Sequence, residues 1–130
     1  MNREFPTRQV VEALHAEQLR RHGGAMGLRD ENAFESALHR AENKSLYGDP
    51  SAYELAAAYA CGLAKNHPFV DGNKRTAIVT AALFLALNGY RLTADDGRLY
   101  LFTMGLAAGE IDEANTAAFF RDHTVGVVRP

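Results

Sequence analysis

The sequence predicts an all-α fold, a compact bundle of about six helices around a buried central helix, in one domain over residues 1–130. Three observations carry this. Apolar residues recur at three- and four-residue spacing along most of the chain, and no segment keeps a period of two. The run from Asn73 to Asn88 is apolar on nearly every side, and a helix without a polar face belongs among other helices. With 130 residues, 47% hydrophobic and 23% charged, one core forms without disulfides or a structural metal.

The elements follow in order. Residues 7–22 place Val10, Val11, Leu14, Gln18 and Leu19 on one face, with Thr7 as N-cap after Pro6 and Gly23-Gly24 as the stop. Asp30 caps a second helix whose face is Ala33, Phe34, Ala37, Leu38 and Ala41. Asn43 to Pro50, with Gly48-Asp49-Pro50, reads as a loop. Ser51 caps a third helix, Ala52 to about Asn66, rich in alanine and able to pack closely. Pro68 disfavours helical geometry at His67 and ends it there. The fourth helix runs from Asn73 to about Asn88, with Gly89 as a left-handed C-terminal stop, and forms the centre of the bundle. Tyr90 to Thr93 is briefly extended. Two further helices span about Asp96–Ala108 and Asp112–His123, the last capped by Asp112.

Charge narrows the function. Residues 1–50 carry seven Lys or Arg against eight Asp or Glu, and residues 51–130 the same counts. With a pI near 6.2, the chain has no basic stripe and is not expected to contact nucleic acid directly. Cys61, the only cysteine, lies in an apolar run and reads as a small buried side chain. Without a disulfide framework, signal peptide or Arg-rich leader, the expected compartment is the cytoplasm. The charge-free stretch between Arg75 and Arg91 falls short of the ~20 apolar residues a membrane span needs.

The segment His67-Pro68-Phe69-Val70-Asp71-Gly72-Asn73-Lys74-Arg75 departs from the bland pattern. Lys74 and Arg75 open the most apolar helix of the chain, at an end whose partial charge is already positive. That placement makes sense if an anion sits there, held by free backbone N–H groups and by Arg75 gripping two oxygens. Gly72 leaves room for its close approach. A carboxylate at Asp71 beside a polyphosphate suits Mg²⁺, and His67 can take the proton of an attacking hydroxyl. Phe69 is the expected apolar peg of the loop. A Walker P-loop is excluded because Asn73 separates Gly72 from Lys74 and no strand precedes them. A zinc site is excluded because His15, His22, His39 and His123 lack ligand spacing.

This segment resembles the H-P-F-x-[DE]-G-N-[GK]-R motif of the Fic/Doc superfamily, and Lys74 resembles its Doc branch. Leu14-His15, Arg21-His22-Gly23-Gly24, the run Asn73–Gly89 and Ala108-Gly109-Glu110-Ile111 are similar to Doc as well, so the resemblance spans nearly the whole chain. It implies the Fic/Doc helical fold and a toxin of a toxin–antitoxin module. The implied reaction is transfer from ATP with Mg²⁺ to a protein Ser or Thr hydroxyl. His67 would be the general base and Asp71 the metal ligand. Gly72 and Asn73 would form the anion hole, and Lys74 and Arg75 would bind phosphates. Doc-type members transfer the γ-phosphoryl group, with a threonine of elongation factor Tu as target and halted translation as result. Most Fic members have glycine where Lys74 stands and transfer AMP, which is the alternative reaction. A non-catalytic co-repressor that bridges antitoxins is the alternative of another class. An internal inhibitory helix of the Fic type is absent, since Leu38 stands four residues before Glu42-Asn43. Restraint is therefore expected from a separate Phd-type antitoxin, lying in an apolar groove beside the first helices. The loop 43–50 is the position at which related proteins dock their target.

Overall fold

The computed structural model describes residues 3–127. Six helices follow one another: α1 Arg8–His22, α2 Glu31–Leu46, α3 Ala52–Asn66, α4 Asn73–Leu87, α5 Asp96–Ala107 and α6 Glu113–Asp122. Two strands, β1 Tyr90–Leu92 and β2 Thr124–Gly126, complete the described residues. Local chemistry sets the helix starts. The side chains of Thr7, Asp30, Asp95 and Asp112 each accept from a backbone N–H of their first turn. Ser51 and Glu54 cap α3 reciprocally. Each such cap stabilises by about 1 kcal/mol.

The bundle is all-α in class, as the sequence predicts, with three corrections of detail. First, α3 rather than α4 is enclosed on every side. From Leu55 to Ala64 each residue of α3 is buried, whereas Val79, Ala82 and Leu83 of α4 are half-buried and Ala86 is exposed. Small side chains explain this. A Cβ at Gly62 would lie 3.4 Å from the Ala37 backbone, so α2 and α3 touch almost main chain to main chain. Neighbours can then close in on α3 where bulkier α4 keeps them apart.

Second, α1 buries Val11 and Leu19 of the predicted face together with His15, while Leu14 and Gln18 are half-buried and Val10 is 39% exposed. A polar residue outside the predicted face, His15, therefore takes the central buried position of α1. Third, α2 continues through Asn43 to Leu46, so the loop before α3 begins only at Tyr47. Arg40 and Lys44 both pair with Glu113 of α6 and hold that last turn in place. Leu46 and Tyr47 are left largely exposed.

Past α4, Gly89 has φ +91 and turns the chain, although the cap position itself is Asn88. β1 then pairs antiparallel with β2, Arg91 opposite Val125. Three residues are too few for a period of two to register in the sequence. Within the core, Cys61 is fully buried, its thiol donating to the Thr116 hydroxyl at 3.6 Å. Burial pushes that thiol's pKa up, which makes it a packing group rather than a nucleophile. Among the described residues, no helix is long and apolar enough to cross a membrane.

Candidate active site

Helix α3 ends as Pro68 requires, but in an unusual way. His67 has φ 46 and ψ 56, the left-handed region, and is the only non-glycine with positive φ among the described residues. Such a conformation costs an L-residue about 1–2 kcal/mol and persists only where neighbours impose it. They do so here. The Arg29 guanidinium donates to the carbonyls of His67 at 2.7 Å and Asn66 at 3.0 Å, satisfying the end of α3. The backbone N–H groups of Arg29 and Asp30 donate to Pro68 O, and Val70 N–H donates to Gly27 O at 3.0 Å. Phe69, the expected peg, is 3% exposed and stacks on His15 with ring centroids 3.7 Å apart.

The next three residues turn the chain into α4. Asn73 Nδ2 donates to Phe69 O and its Oδ1 accepts from Phe69 N–H, both at 2.9 Å, closing a ring across the loop. The carboxylate of exposed Asp71 accepts from Gly72 N–H at 2.9 Å and from Ala25 N–H at 3.3 Å. Gly24, with φ +127, makes that approach possible, because a Cβ there would lie 2.8 Å from Asp71 Oδ2. Gly72 has φ +80, and its missing Cβ would point at Leu19 Cδ2, 3.3 Å away. Gly72 is therefore glycine for the turn and for close contact with α1. The Asn73 side chain likewise shapes the loop, leaving its backbone N–H for any ligand.

Among the six helices, α4 alone starts with no side-chain cap. Its first backbone bond within the helix is Thr76 N–H to Gly72 O, so the N–H groups of Asn73, Lys74 and Arg75 precede the ladder. Lys74 and Arg75 are exposed, and neither has an ion pair or side-chain hydrogen bond among the described residues. Both line a cleft of about 760 Å³ that also takes in His67, Asp71, Gly72 and Asn73. The six candidate residues therefore share one cleft.

Its other walls were not read from the sequence. Gln18 and His22 come from α1, while Leu99, Tyr100, Thr103 and Met104 of α5 with Ile78 of α4 make a partly apolar side. The i, i+4 spacing of Gln18 and His22 was the available signal, since it puts both on one helix face. Nothing local marks the α5 wall, which depends on how α5 folds back. His15 was the other residue missed. Among the described residues no three His, Cys, Asp or Glu cluster as a metal site. A lone carboxylate fits a cation held mainly by phosphate oxygens and water, the habit of Mg²⁺.

Six helices that pin a His–Asp loop against an uncapped, cationic helix start define a class that the sequence comparisons identify. Residues 5–85 match the model of the Fic/DOC family. The chain belongs to that family, on its Doc branch. It is similar to protein kinase doc of Escherichia phage P1, 36% identical over 110 residues, which covers 84% of this chain and 86% of that protein. It is also similar to Toxin Doc of Mycolicibacterium smegmatis (strain ATCC 700084 / mc(2)155), 42% identical over 76 residues, 56% of this chain and 58% of that one.

Proposed function

We propose that this chain is the toxin of a toxin–antitoxin module and transfers the γ-phosphoryl group of ATP to a protein Ser or Thr hydroxyl. The observation that carries this is the uncapped start of α4, where Lys74 and Arg75 stand unpaired beside His67 and Asp71 in one cleft. Every other helix start uses its own side chain to satisfy its N–H groups; this one leaves them for an anion. The names of the two relatives, a protein kinase and a toxin, support the same reading.

The residues fit Mg²⁺–ATP. Asp71 would hold the metal, and the backbone N–H groups of Asn73 and Lys74 with the side chains of Lys74 and Arg75 would hold phosphate oxygens. When bound, Mg²⁺ supplies charge neutralisation across the phosphates. His67 accepts the proton of the target hydroxyl as that oxygen bonds to the γ-phosphorus, and ADP leaves. Phosphoryl transfer depends mostly on positioning and charge stabilisation, and Lys74 is the side chain that decides which phosphorus faces His67. A lysine there fills the space against the helix end that a glycine would open to a diphosphate, which favours γ-phosphoryl over AMP transfer. The target is a threonine of elongation factor Tu, modified in the cytoplasm, and a Phd-type antitoxin restrains the chain.

The test is intact-mass analysis of elongation factor Tu after incubation with the pure protein, ATP and Mg²⁺. The expected result is a gain of one phosphoryl group, absent with His67→Ala. A gain of AMP would assign the Fic-type reaction instead. No gain with either would point to another target protein or to the co-repressor role, for which wild type and His67→Ala behave alike.

A further inference from the structure

His15 lies outside the motif, 7% exposed on the inner face of α1, yet it touches the motif loop at several points. Its Nε2 is 2.8 Å from Asp71 O. A carbonyl only accepts, so Nε2 carries hydrogen and donates. Its ring stacks on Phe69 at 3.7 Å with planes 9° apart, and Phe69 in turn packs against Phe34 of α2. Its Cδ2 would be 3.5 Å from a Cβ at Gly72, so it also limits how α4 begins.

We infer that His15 is a positioning residue for the proposed transfer, fixing the Asp71 carboxylate relative to the start of α4. The assignment rests on the reading of this cleft as a phosphoryl-transfer site. The logic is geometric. Among the described residues the Asp71 carboxylate accepts two backbone hydrogen bonds, one of them long at 3.3 Å from Ala25 N–H, next to the Gly23–Gly24 turn. The main chain that carries it is anchored instead through its carbonyl, from a helix whose position the core sets. Asn73 fixes Phe69 to α4, and His15 fixes Phe69 and Asp71 to α1. Without the His15 donor, Asp71 O loses this partner, and the peptide between Asp71 and Gly72 is tied only through its own N–H to the Asp71 carboxylate, so it can turn. That moves the carboxylate and the first N–H groups of α4 apart. Lost outer-shell partners of a metal-binding carboxylate typically cost about 10–100-fold in affinity or activity.

Two substitutions separate the bond from the packing. His15→Phe keeps a ring on Phe69 and removes the donor; His15→Gln keeps a donor of similar reach and removes the ring. Steady-state transfer from Mg²⁺–ATP, thermal melting and amide hydrogen exchange are measured on the full-length variants. For His15→Phe we expect a melting point near wild type, a KM for Mg²⁺–ATP raised about tenfold or more, and faster exchange confined to Val70–Asn73. His15→Gln should recover most of the affinity even where its melting point is lower. Wild-type kinetics in His15→Phe would overturn the assignment, as would His15→Gln failing equally. Faster exchange across the whole chain would make His15 a core residue and nothing more. A wild-type chain that transfers nothing would overturn the functional reading itself, and this assignment with it.

Discussion

Helices α3 and α4 pack against each other along their lengths yet begin in opposite ways. α3 starts at Ser51 with a reciprocal cap from Glu54, an acidic side chain in its first turn, and is buried through its middle. α4 starts at a left-handed glycine with no cap, no acidic side chain, and two cations in its first turn. Each feature of α3 lowers its free energy on its own account. Each feature of α4 is neutral or unfavourable until an anion arrives. The two starts show where the molecule gives up stability, and that place is the cleft. The Mg²⁺-nucleotide reading predicts that substitutions at the two starts affect different observables.

The largest effect is expected at the join between the helices. His67 is exposed and left-handed, so replacing it removes a reactive group from a position that already strains the chain. His67→Gly should lower transfer by about 10²–10⁴-fold. Relief of the left-handed strain, about 1–2 kcal/mol, is offset in part by the roughly 0.5–1 kcal/mol entropic cost of glycine. Stability should therefore hold or rise slightly in thermal melts. A variant that melts much earlier would show that His67 is part of the fold, and the contrast between the helices would lose its middle term.

At the start of α3 the effect is smaller and of the other kind. Ser51→Ala removes the cap and should cost about 1 kcal/mol, lowering the melting point by roughly 4 °C for a chain of this size. Transfer per folded molecule should not change, because Ser51 lies outside the cleft. Loss of activity beyond the loss of folded protein would mean that α3's start communicates with the site.

The sequence revealed these two starts unequally. Ser51 followed by Glu54 is a local signal, written within four residues, and so is the glycine–cation start of α4. Most helix starts and caps and the shared placement of His67, Asp71, Lys74 and Arg75 were legible for the same reason, whereas the end of α2 at Leu46, held by Arg40 and Lys44 on Glu113, was not. What depended on distant contacts was not. His15 reaches Asp71 from 56 residues away, and the sequence marks it only as part of the resemblance to Doc at Leu14-His15, with no role attached. The enclosure of α3 rather than α4 follows from Gly62 meeting Ala37, a contact between helices that hydrophobicity alone ranks the wrong way. The contact of Gly72 with α1 was also hidden, since its absent Cβ would meet Leu19, far from the motif loop in the chain. β2 pairs with β1 across more than thirty residues of chain, roughly beyond what short-range periodicity reports.

The smallest change in stability separates the two helices most sharply. Lys74 occupies the first turn of α4, is exposed, and has no partner among the described residues. On stability alone it is the wrong residue, because the helix start favours negative charge. Lys74→Glu should therefore stabilise the free protein by about 0.3–1 kcal/mol, more at low salt than at high. The same change places a carboxylate where phosphate oxygens are proposed to bind, so affinity for Mg²⁺–ATP should fall while the melting point rises. Adding the nucleotide should also raise the wild-type melting point and leave that of Lys74→Glu in place. If the variant melted lower than wild type, Lys74 would be supporting the fold through a contact of its own. The α4 start would then be an ordinary helix end, without the cost in stability that the contrast with α3 assigns to it.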